Sequence, residues 1–180
     1  MNTVQRHSPF TGCEKQVHPF APVWDEQSEV LILGTFPSVQ SRKNLFYYGH
    51  PQNRFWQVLA SLYNAPVPDS IAQKQALLLT CRVALWDVLE SCEIVGSSDA
   101  SIRNATANNI AALLQKTHIR RIFCNGQKAA MLYRRYCETA CGLSAIALPS
   151  TSPANAAWSA EGLTAEWRRA FTAFDPLNIG

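Results

Sequence analysis

The chain has 180 residues, a length that suits one well-packed domain and is short for two. Hydrophobic residues make up 47% of it and charged residues 16%, a balance that excludes an intrinsically disordered protein. The net charge of +3 is compatible with a phosphate-contacting face but too small to establish one. We expect a single folded domain over residues 1–180, with residues 1–17 as a peripheral N-terminal segment.

Targeting signals and metal motifs are not apparent in the sequence. Its apolar stretches fall far short of the roughly 20 residues that a membrane span needs, and its first residues lack the apolar core of a secretory signal. The six cysteines include no C-x-x-C pair, which favours reduced thiols and gives an iron–sulfur cluster little support. We expect a cytoplasmic protein without a metal or cofactor.

Short apolar runs and helical spacings alternate along the chain. The runs have the pattern of continuously buried strands and occupy residues 30–33, 83–86, 121–124 and 144–148. Segments with helical spacing occupy residues 55–63, 108–114, 129–136 and 163–174. The alternation predicts an α/β fold with three α/β/α layers and a four-stranded, mostly parallel sheet.

Polar residues follow each predicted strand at the point where it ends. They lie at residues 34–38, 86–87, 125–126 and 149–153. In an open parallel sheet the carboxyl ends of the strands share one edge, and ligands bind in the crevice outside it. Ordinary loop polarity explains any one cluster, but four in register predict a ligand site at this edge.

Two early segments have the composition of a base-binding pocket. Residues 34–38 (GTFPS) form a turn in which glycine lets the backbone approach a ligand and proline fixes the chain direction. Residues 47–56 combine aromatic rings, amide side chains and an arginine, which suits recognition of an unstacked base. Tyr47 and Tyr48 are the pocket candidates, whereas Trp56 is more simply explained as the core face of the following helix.

A hydroxyl-rich loop follows the fourth strand, at residues 150–155 (STSPAN), and suits either a phosphate contact or a helix cap. Arg42, Lys43 and Arg54 lie near these motifs in sequence, although solvent-facing basic side chains are often merely solubilising. The residues that we assign to DNA contact are Ser38, Ser41, Ser150, Thr151, Ser152, Pro153, Ala154 and Asn155.

Five segments, in this order, resemble the uracil-DNA glycosylase superfamily and in particular its hypoxanthine (deoxyinosine) DNA glycosylase branch. They are LGTFPS, FYYGHPQNRFW, ALWDVLESCE with GSSDASI, CNG and LPSTSPAN, and they extend from about residue 18 to residue 167. The resemblance implies a uracil-DNA glycosylase-like fold and a monofunctional hydrolase that flips hypoxanthine out of DNA and removes it, leaving an abasic site. The expected partner is DNA containing deaminated bases, bound by a monomer with no membrane association.

The resemblance also directs the choice of catalytic residue. Uracil-removing members usually carry Asp or Asn at the third position of the first motif and often His at the start of the second, where this chain has Phe36 and Ser150. The hypoxanthine branch instead implies a catalytic asparagine in its H-P-x-N element, which maps onto Asn53. The alternative is that Asn53 caps the helix that begins near Phe55.

The pocket residues that we expect are Gly34, Thr35, Phe36, Pro37, Tyr47, Tyr48, Trp86, Asp87 and Asn125. A donor and an acceptor at the strand ends would distinguish hypoxanthine from adenine, and Asp87 is a candidate unless it caps a helix. Residues 96–99 form either a pocket wall or an ordinary loop before a capped helix. We expect Asn53 to hold a water beneath C1′, while backbone amides near Phe36 and Ser38 bond the departing base, which is taken to carry negative charge.

Three other functions compete with this interpretation. The first is a uracil or broad-spectrum deaminated-base glycosylase, against which Phe36 and Ser150 argue. The second is a non-catalytic nucleotide- or DNA-binding module with the same sheet. The third is a serine hydrolase using Ser38 or Ser152, which lacks the G-x-S-x-G elbow.

Overall fold

The computed structural model describes residues 14–173. Most of the expected N-terminal segment (residues 1–13) therefore lies outside the described residues, and its last four residues form strand β1, Glu14–Val17. The other strands are β2 (Val30–Gly34), β3 (Val83–Asp87), β4 (Leu89–Ile94), β5 (Arg103–Ala107), β6 (Arg121–Asn125) and β7 (Ala145–Leu148). The helices are α1 (Val39–Asn44), α2 (Phe55–Leu62), α3 (Ile71–Thr80), α4 (Ile110–Leu114), α5 (Gln127–Tyr136), α6 (Glu138–Cys141) and α7 (Ala160–Thr172).

The main sheet has four strands in the order β3-β2-β6-β7, and every neighbouring pair is parallel. The predicted strands and the three-layer α/β/α fold are therefore confirmed. Ile32 at the centre of β2 pairs with Leu85 of β3 and with Phe123 of β6, which brings the carboxyl ends of these strands level.

Alternate residues of the sheet face two separate cores, as strand geometry requires. Ile32 and Phe123 pack with α2 and α7 on one face, where Trp167 is fully buried. Leu31 and Leu33 pack on the other face with residues of α4, α5 and β4. Both faces are covered, which explains why the strands are apolar runs rather than alternating ones.

The helices begin at identifiable capping residues. Ser38 caps α1, Asn109 caps α4 and Ser159 caps α7, each by accepting a backbone N–H with its side-chain oxygen. Ser70 and Gln73 form a reciprocal capping box at the start of α3, an element that the hydrophobic spacing did not predict. The four predicted helices are present as α2, α4, α5 and α7.

A second sheet, which was not predicted, joins β1, β4 and β5 in antiparallel order β1-β4-β5. It connects directly to the main sheet because β4 begins two residues after β3, and the Val88 and Leu89 amides donate to the carbonyls of Gly34 and Thr35. This junction fixes the turn at residues 34–38 against the second sheet. It also carries the end of β4 and residues 97–99 to the carboxyl edge of the main sheet.

Two further findings concern the described part of the chain. None of its helices combines the length and the apolar character needed to cross a bilayer. Five cysteines fall within residues 14–173 and all are free thiols: Cys81, Cys92, Cys124, Cys137 and Cys141.

Candidate active site

A cavity of about 530 Å³ opens at the carboxyl edge of the main sheet, a volume typical of small-molecule sites. It unites the first turn (residues 34–38), the aromatic segment before α2, the ends of β3 and β6, and the second loop (residues 150–155). Its lining residues are Phe20, Gly34, Thr35, Phe36, Pro37, Ser38, Ser41, Tyr47, Tyr48, Asn53, Asp87, Ile94, Ser97, Ser98, Asp99, Asn125, Ser150, Ser152, Ala154 and Asn155.

Most of the residues proposed from the sequence lie in this cavity, and three do not. Trp86 lies outside the lining, because successive strand residues face opposite sides of the sheet and Asp87 is the one at the cavity. Thr151 is fully buried beneath the cavity floor, and Pro153 is exposed. Residues 97–99 do form a wall of the cavity, and the short 3₁₀ helix that begins at Asp99 has no side-chain cap.

Asn53 lies between the two loops, and its side chain is held by two hydrogen bonds. Its Oδ1 accepts from the Phe55 amide at 3.0 Å and from the Thr151 hydroxyl at 2.9 Å. A backbone N–H can only donate, so the atom it meets is the carbonyl oxygen, which fixes the orientation of the amide. Asn53 therefore stabilises the start of α2, and the residue also lines the cavity.

Asn125 controls the position of Thr151 and hence of Asn53. The Asn125 side chain donates from Nδ2 to the Thr151 hydroxyl at 2.9 Å and accepts the Thr151 amide on Oδ1 at 2.9 Å. Thr151 is completely buried, and Asn125 is 8% exposed. The Asn125 amide thus holds Thr151 and, through it, Asn53. Its Nδ2 carries a second N–H and the residue lines the cavity, so its role as a base reader stays a prediction.

Arg54 organises the second loop rather than reaching outward. Its guanidinium donates to the carbonyls of Ser152 at 2.7 Å and Asn155 at 3.0 Å, and also to those of Thr151 and Trp158. Its planar group therefore holds several turns of one loop at once. The proposed role of Arg54 near phosphates gives way to this inward one.

Arg42 has a similar structural role at the first turn. It donates to the Pro37 carbonyl at 2.6 Å and the Gly96 carbonyl at 3.2 Å, and it lies over the Phe36 ring at 5.8 Å. These contacts tie the first turn to the cavity wall formed by residues 97–99. Lys43 is exposed, as expected from the sequence.

A buried histidine and carboxylate pair closes one side of the cavity. His18 Nε2 lies 2.9 Å from Asp87 Oδ2, and the two side chains are 3% and 6% exposed. The histidine ring is packed edge-on against Phe20 at 4.6 Å. The Asp87 side chain is committed to this pair and no helix follows it, so its alternative role as a helix cap is wrong.

Gly34 is required by the close approach of Asp87. A Cβ atom built at Gly34 would lie 2.1 Å from Asp87 Oδ1 and 3.1 Å from the Tyr48 hydroxyl. No side chain fits there unless the carboxylate moves. The absence of a side chain at Gly34 thus allows Asp87 Oδ1 to lie against the backbone, while Oδ2 contacts His18.

A second carboxylate, Asp99, faces the same cavity. Its Oδ2 accepts the Thr35 hydroxyl at 3.0 Å. Burial raises the pKa of Asp99, a shift that the Thr35 hydrogen bond opposes, the negative charge of Asp87 reinforces and Lys128 opposes. Asp99 is therefore a carboxyl group whose surroundings disfavour its charged form relative to an ordinary aspartate.

The two pocket tyrosines differ in what they offer a ligand. Tyr47 is almost fully buried and donates its hydroxyl to the Ala21 carbonyl at 3.0 Å, so it shapes the wall. Tyr48 has a left-handed φ of 51° and stacks on Phe55 with ring centroids 4.0 Å apart. Burial, followed by the charge of Asp87, raises the pKa of Tyr48 well above its usual range, which keeps its hydroxyl protonated.

Sequence reasoning missed His18, Phe20 and Ile94. His18 precedes Asp87 by 69 residues, Phe20 follows His18 closely, and no local pattern marks either residue. Ile94 arrives through β4, which the sequence analysis treated as part of a motif rather than as a strand. A single histidine between Val17 and Pro19 gives no signal that it will be buried beside a carboxylate.

Known proteins share this architecture. The model of the uracil DNA glycosylase superfamily matches residues 21–173. A hypoxanthine DNA glycosylase of Methanosarcina acetivorans is 33% identical over 154 residues, which cover 84% of this chain and 96% of that protein. One from Methanosarcina barkeri is 34% identical over 113 residues, which cover 61% and 71%. The solution NMR structure of a candidate uracil DNA glycosylase from Methanosarcina acetivorans has a TM-score of 0.74 at 32% identity and covers 87% of this chain and 96% of that one.

Proposed function

The chain belongs to the uracil-DNA glycosylase superfamily, and from that premise we propose that it removes hypoxanthine from DNA by hydrolysing the N-glycosyl bond, leaving an abasic site. The curated relatives described above are both hypoxanthine DNA glycosylases, and one alignment covers nearly the whole of its relative. The substrate is DNA, from which a damaged nucleotide must be extruded before its base reaches an enclosed pocket.

The observation that carries the proposal is the position of Asn53. It lies at a cavity of about 530 Å³, between the first turn and the second loop, with its amide orientation fixed. A residue that only capped α2 would not need the buried Thr151 hydroxyl as a second partner. The arrangement is that of a side chain held in place for a ligand.

Asn53 would act on the attacking water by donation. Cleavage between C1′ and the base builds positive charge on the sugar, as in glycoside hydrolysis. Both acceptor positions of Asn53 Oδ1 are used by Phe55 and Thr151, so the group left for a water is the Nδ2 donor. Asn53 thus orients the water oxygen towards C1′ and does not take its proton.

Base selection falls to Asp87. His18 occupies Oδ2, and Oδ1 stands beside Gly34 as an acceptor for the N1–H of hypoxanthine. Adenine has no hydrogen on N1, so its lone pair would face the carboxylate. An unmatched buried contact of this kind costs about 1–3 kcal/mol. Hypoxanthine is therefore favoured over the normal base from which it arises.

Uracil is the second candidate substrate, because its N3–H would also match Asp87 Oδ1. Phe36 lines the cavity where uracil-removing members place a water-binding Asp or Asn. An apolar ring there cannot hold a water, which is why we place hypoxanthine first. A serine hydrolase is disfavoured, since Ser38 is occupied as the cap of α1 and bonds Ser41.

Several parts of the proposal concern DNA contact and cellular setting. Ser150 and Ser152 at the rim, together with backbone amides of the second loop, would contact phosphates on either side of the extruded nucleotide. Ser41 is 3% exposed and accepts the Gly49 amide, so its role would be to hold the aromatic segment in place. We also propose a cytoplasmic monomer that acts without a metal or cofactor.

The test uses duplexes that each contain one inosine, uracil, xanthine or ethenoadenine. Released base is measured by mass spectrometry, and abasic sites are measured by alkaline cleavage of the labelled strand. We expect free hypoxanthine and an intact strand before alkali treatment. Efficient release of uracil without hypoxanthine would replace our substrate, and binding without release of any base would indicate a non-catalytic module.

A further inference from the structure

Two carboxyl groups line the cavity. Asp87 and Asp99 are its acidic residues, and no lysine, arginine or histidine occurs among the lining residues within the described chain. A carboxylate in a partly dry site repels any further negative charge. A purine leaving as an anion would be placed beside these two groups. The cavity is better suited to a base that receives a proton and leaves neutral.

The two carboxyl groups have environments that separate their roles. Asp87 is 2.9 Å from the His18 imidazole, which can donate to its charged form. Asp99 has a single hydroxyl donor, from Thr35 at 3.0 Å, and it faces the charge of Asp87 across the site. The two carboxyl groups of the cavity therefore differ in their hydrogen-bond partners, an imidazole for Asp87 and a hydroxyl for Asp99.

We propose that Asp99 is the general acid of the reaction, donating a proton from its carboxyl group to an acceptor nitrogen of the purine ring as the bond to C1′ breaks. The proposal rests on the function proposed above. A base that leaves as an anion needs no proton donor. A base that leaves neutral does, and Asp99 would be that donor.

The O–H bond of Asp99 breaks and an N–H bond forms at N7 or N3 of the base. The electron pair of the C1′–N9 bond moves to N9, so hypoxanthine leaves neutral and the sugar becomes an oxocarbenium ion. Water forms the new O–C1′ bond and loses a proton, which returns to the Asp99 carboxylate directly or through solvent.

This route is consistent with the state of Asn53. An oxocarbenium ion accepts water readily, so the water needs orientation more than a strong base. Asn53 offers an Nδ2 donor and has no free acceptor position on Oδ1. The two assignments therefore agree: Asp99 supplies the proton that the base needs, and Asn53 places the water.

The pH dependence follows from the groups that face Asp99. They are Asp87 at the end of β3, Thr35 in the first turn, Lys128 on α5 and Tyr48 before α2. A general acid is active when protonated, so the rate falls as pH rises through its pKa. Because burial and Asp87 raise the pKa of Asp99, this fall is moved to higher pH than an ordinary aspartate would give.

The test compares Asp99→Asn with the wild type in single-turnover reactions on an inosine duplex from pH 5 to pH 9. The amide keeps an acceptor for Thr35 but has no acidic proton. We expect roughly a 10²–10⁴-fold lower rate and loss of the decline at high pH. Binding of a non-cleavable 2′-fluoro-deoxyinosine duplex should change by less than about threefold, which is within about 0.7 kcal/mol. Asp69→Asn, at an exposed carboxylate outside the cavity, is the matched control.

A second variant tests the proton rather than the side chain. Thr35→Val removes the hydroxyl that stabilises charged Asp99 and keeps the shape of the residue. The pKa of Asp99 should rise, and the decline at high pH should move further upward. A role of Asp99 in structure alone would lower rates without moving this decline.

The inference is overturned if Asp99→Asn keeps the wild-type rate, if it keeps the same decline at high pH, or if Thr35→Val leaves that decline in place. Failure of the proposed function would give a different result, because hypoxanthine release by the wild type alone tests that function. A wild type that releases no hypoxanthine overturns both proposals. A wild type that does so while Asp99→Asn is equally active overturns the acid role only.

Discussion

Thr151 provides the sharpest test of how the site is held together, because it touches the catalytic candidate without lining the cavity. Its hydroxyl donates to Asn53 Oδ1 and accepts from Asn125 Nδ2, both at 2.9 Å. Thr151→Val keeps the volume and branching of the side chain and removes the oxygen. Thr151→Ser keeps the oxygen and removes a methyl group, which makes it the matched control.

The expected size of the effect comes from these two bonds. Valine leaves the Asn125 amide without its buried acceptor and frees one side of Asn53, a loss of about 1–3 kcal/mol. For a chain of this length each kcal/mol lowers Tm by about 2–4 °C. If about 1.4 kcal/mol of that loss falls on the positioning of Asn53 in the transition state, the rate falls about tenfold.

The assay is single-turnover release of hypoxanthine, with melting temperature and binding of the 2′-fluoro duplex measured in parallel. We expect Thr151→Val to lose rate by about tenfold or more, with nearly unchanged binding, and Thr151→Ser to remain within about threefold of the wild type. Equal rates in the two variants would refute the view that the hydroxyl positions Asn53.

Three further predictions concern the surrounding framework. Arg54→Lys should lower Tm by several degrees and reduce activity, because one ammonium nitrogen replaces three guanidinium nitrogens that together bond the carbonyls of Thr151, Ser152, Asn155 and Trp158. An unchanged melting curve would contradict this role. Gly34→Ala places a Cβ 2.1 Å from Asp87 Oδ1 and must displace the carboxylate, so we expect at least a tenfold lower rate on an inosine duplex. Wild-type kinetics in this variant would show that catalysis does not depend on the position of the carboxylate. His18→Leu leaves the Asp87 carboxylate buried without its donor, so the free energy of unfolding measured by chemical denaturation should fall by about 1–3 kcal/mol. His18→Gln retains a donor and should lose less stability. Equal losses in the two variants would mean that the contact contributes nothing to stability.

The main sheet was predictable because burial on both faces makes its strands continuous apolar runs, as in residues 30–33 and 121–124. The location of the site followed from the same pattern, since the polar residues after parallel strands share an edge. Asn53 came from a resemblance in its motif, and the structure adds that the residue both bonds the Phe55 amide and faces the cavity.

The second sheet was not predictable in this way. Its strands are short and carry polar residues, as in β5 with the sequence RNATA, so neither alternation nor continuous burial marks them. Helix α3 did carry a usable signal, the Ser70 and Gln73 capping box, which periodicity alone passes over.

Long-range side-chain partners were also beyond the sequence. The contacts of Asp87 with His18 and of Asp99 with Thr35 join residues 69 and 64 positions apart. The inward use of Arg54 depends on the path of a loop almost one hundred residues later. The two carboxyl groups of the cavity, and the choice of Asp99 as proton donor, can be identified only after the fold brings these pairs together.

The central claim is tested most directly by hypoxanthine release from a single-inosine duplex by wild type, Asn53→Ala and Gln52→Ala. Gln52 is the exposed neighbour of Asn53 and lies outside the cavity lining. We predict stoichiometric release by the wild type and by Gln52→Ala, and a rate lower by roughly 10²–10³ in a folded Asn53→Ala. Wild-type activity in Asn53→Ala, or an inactive wild type that still binds the duplex, would contradict the account.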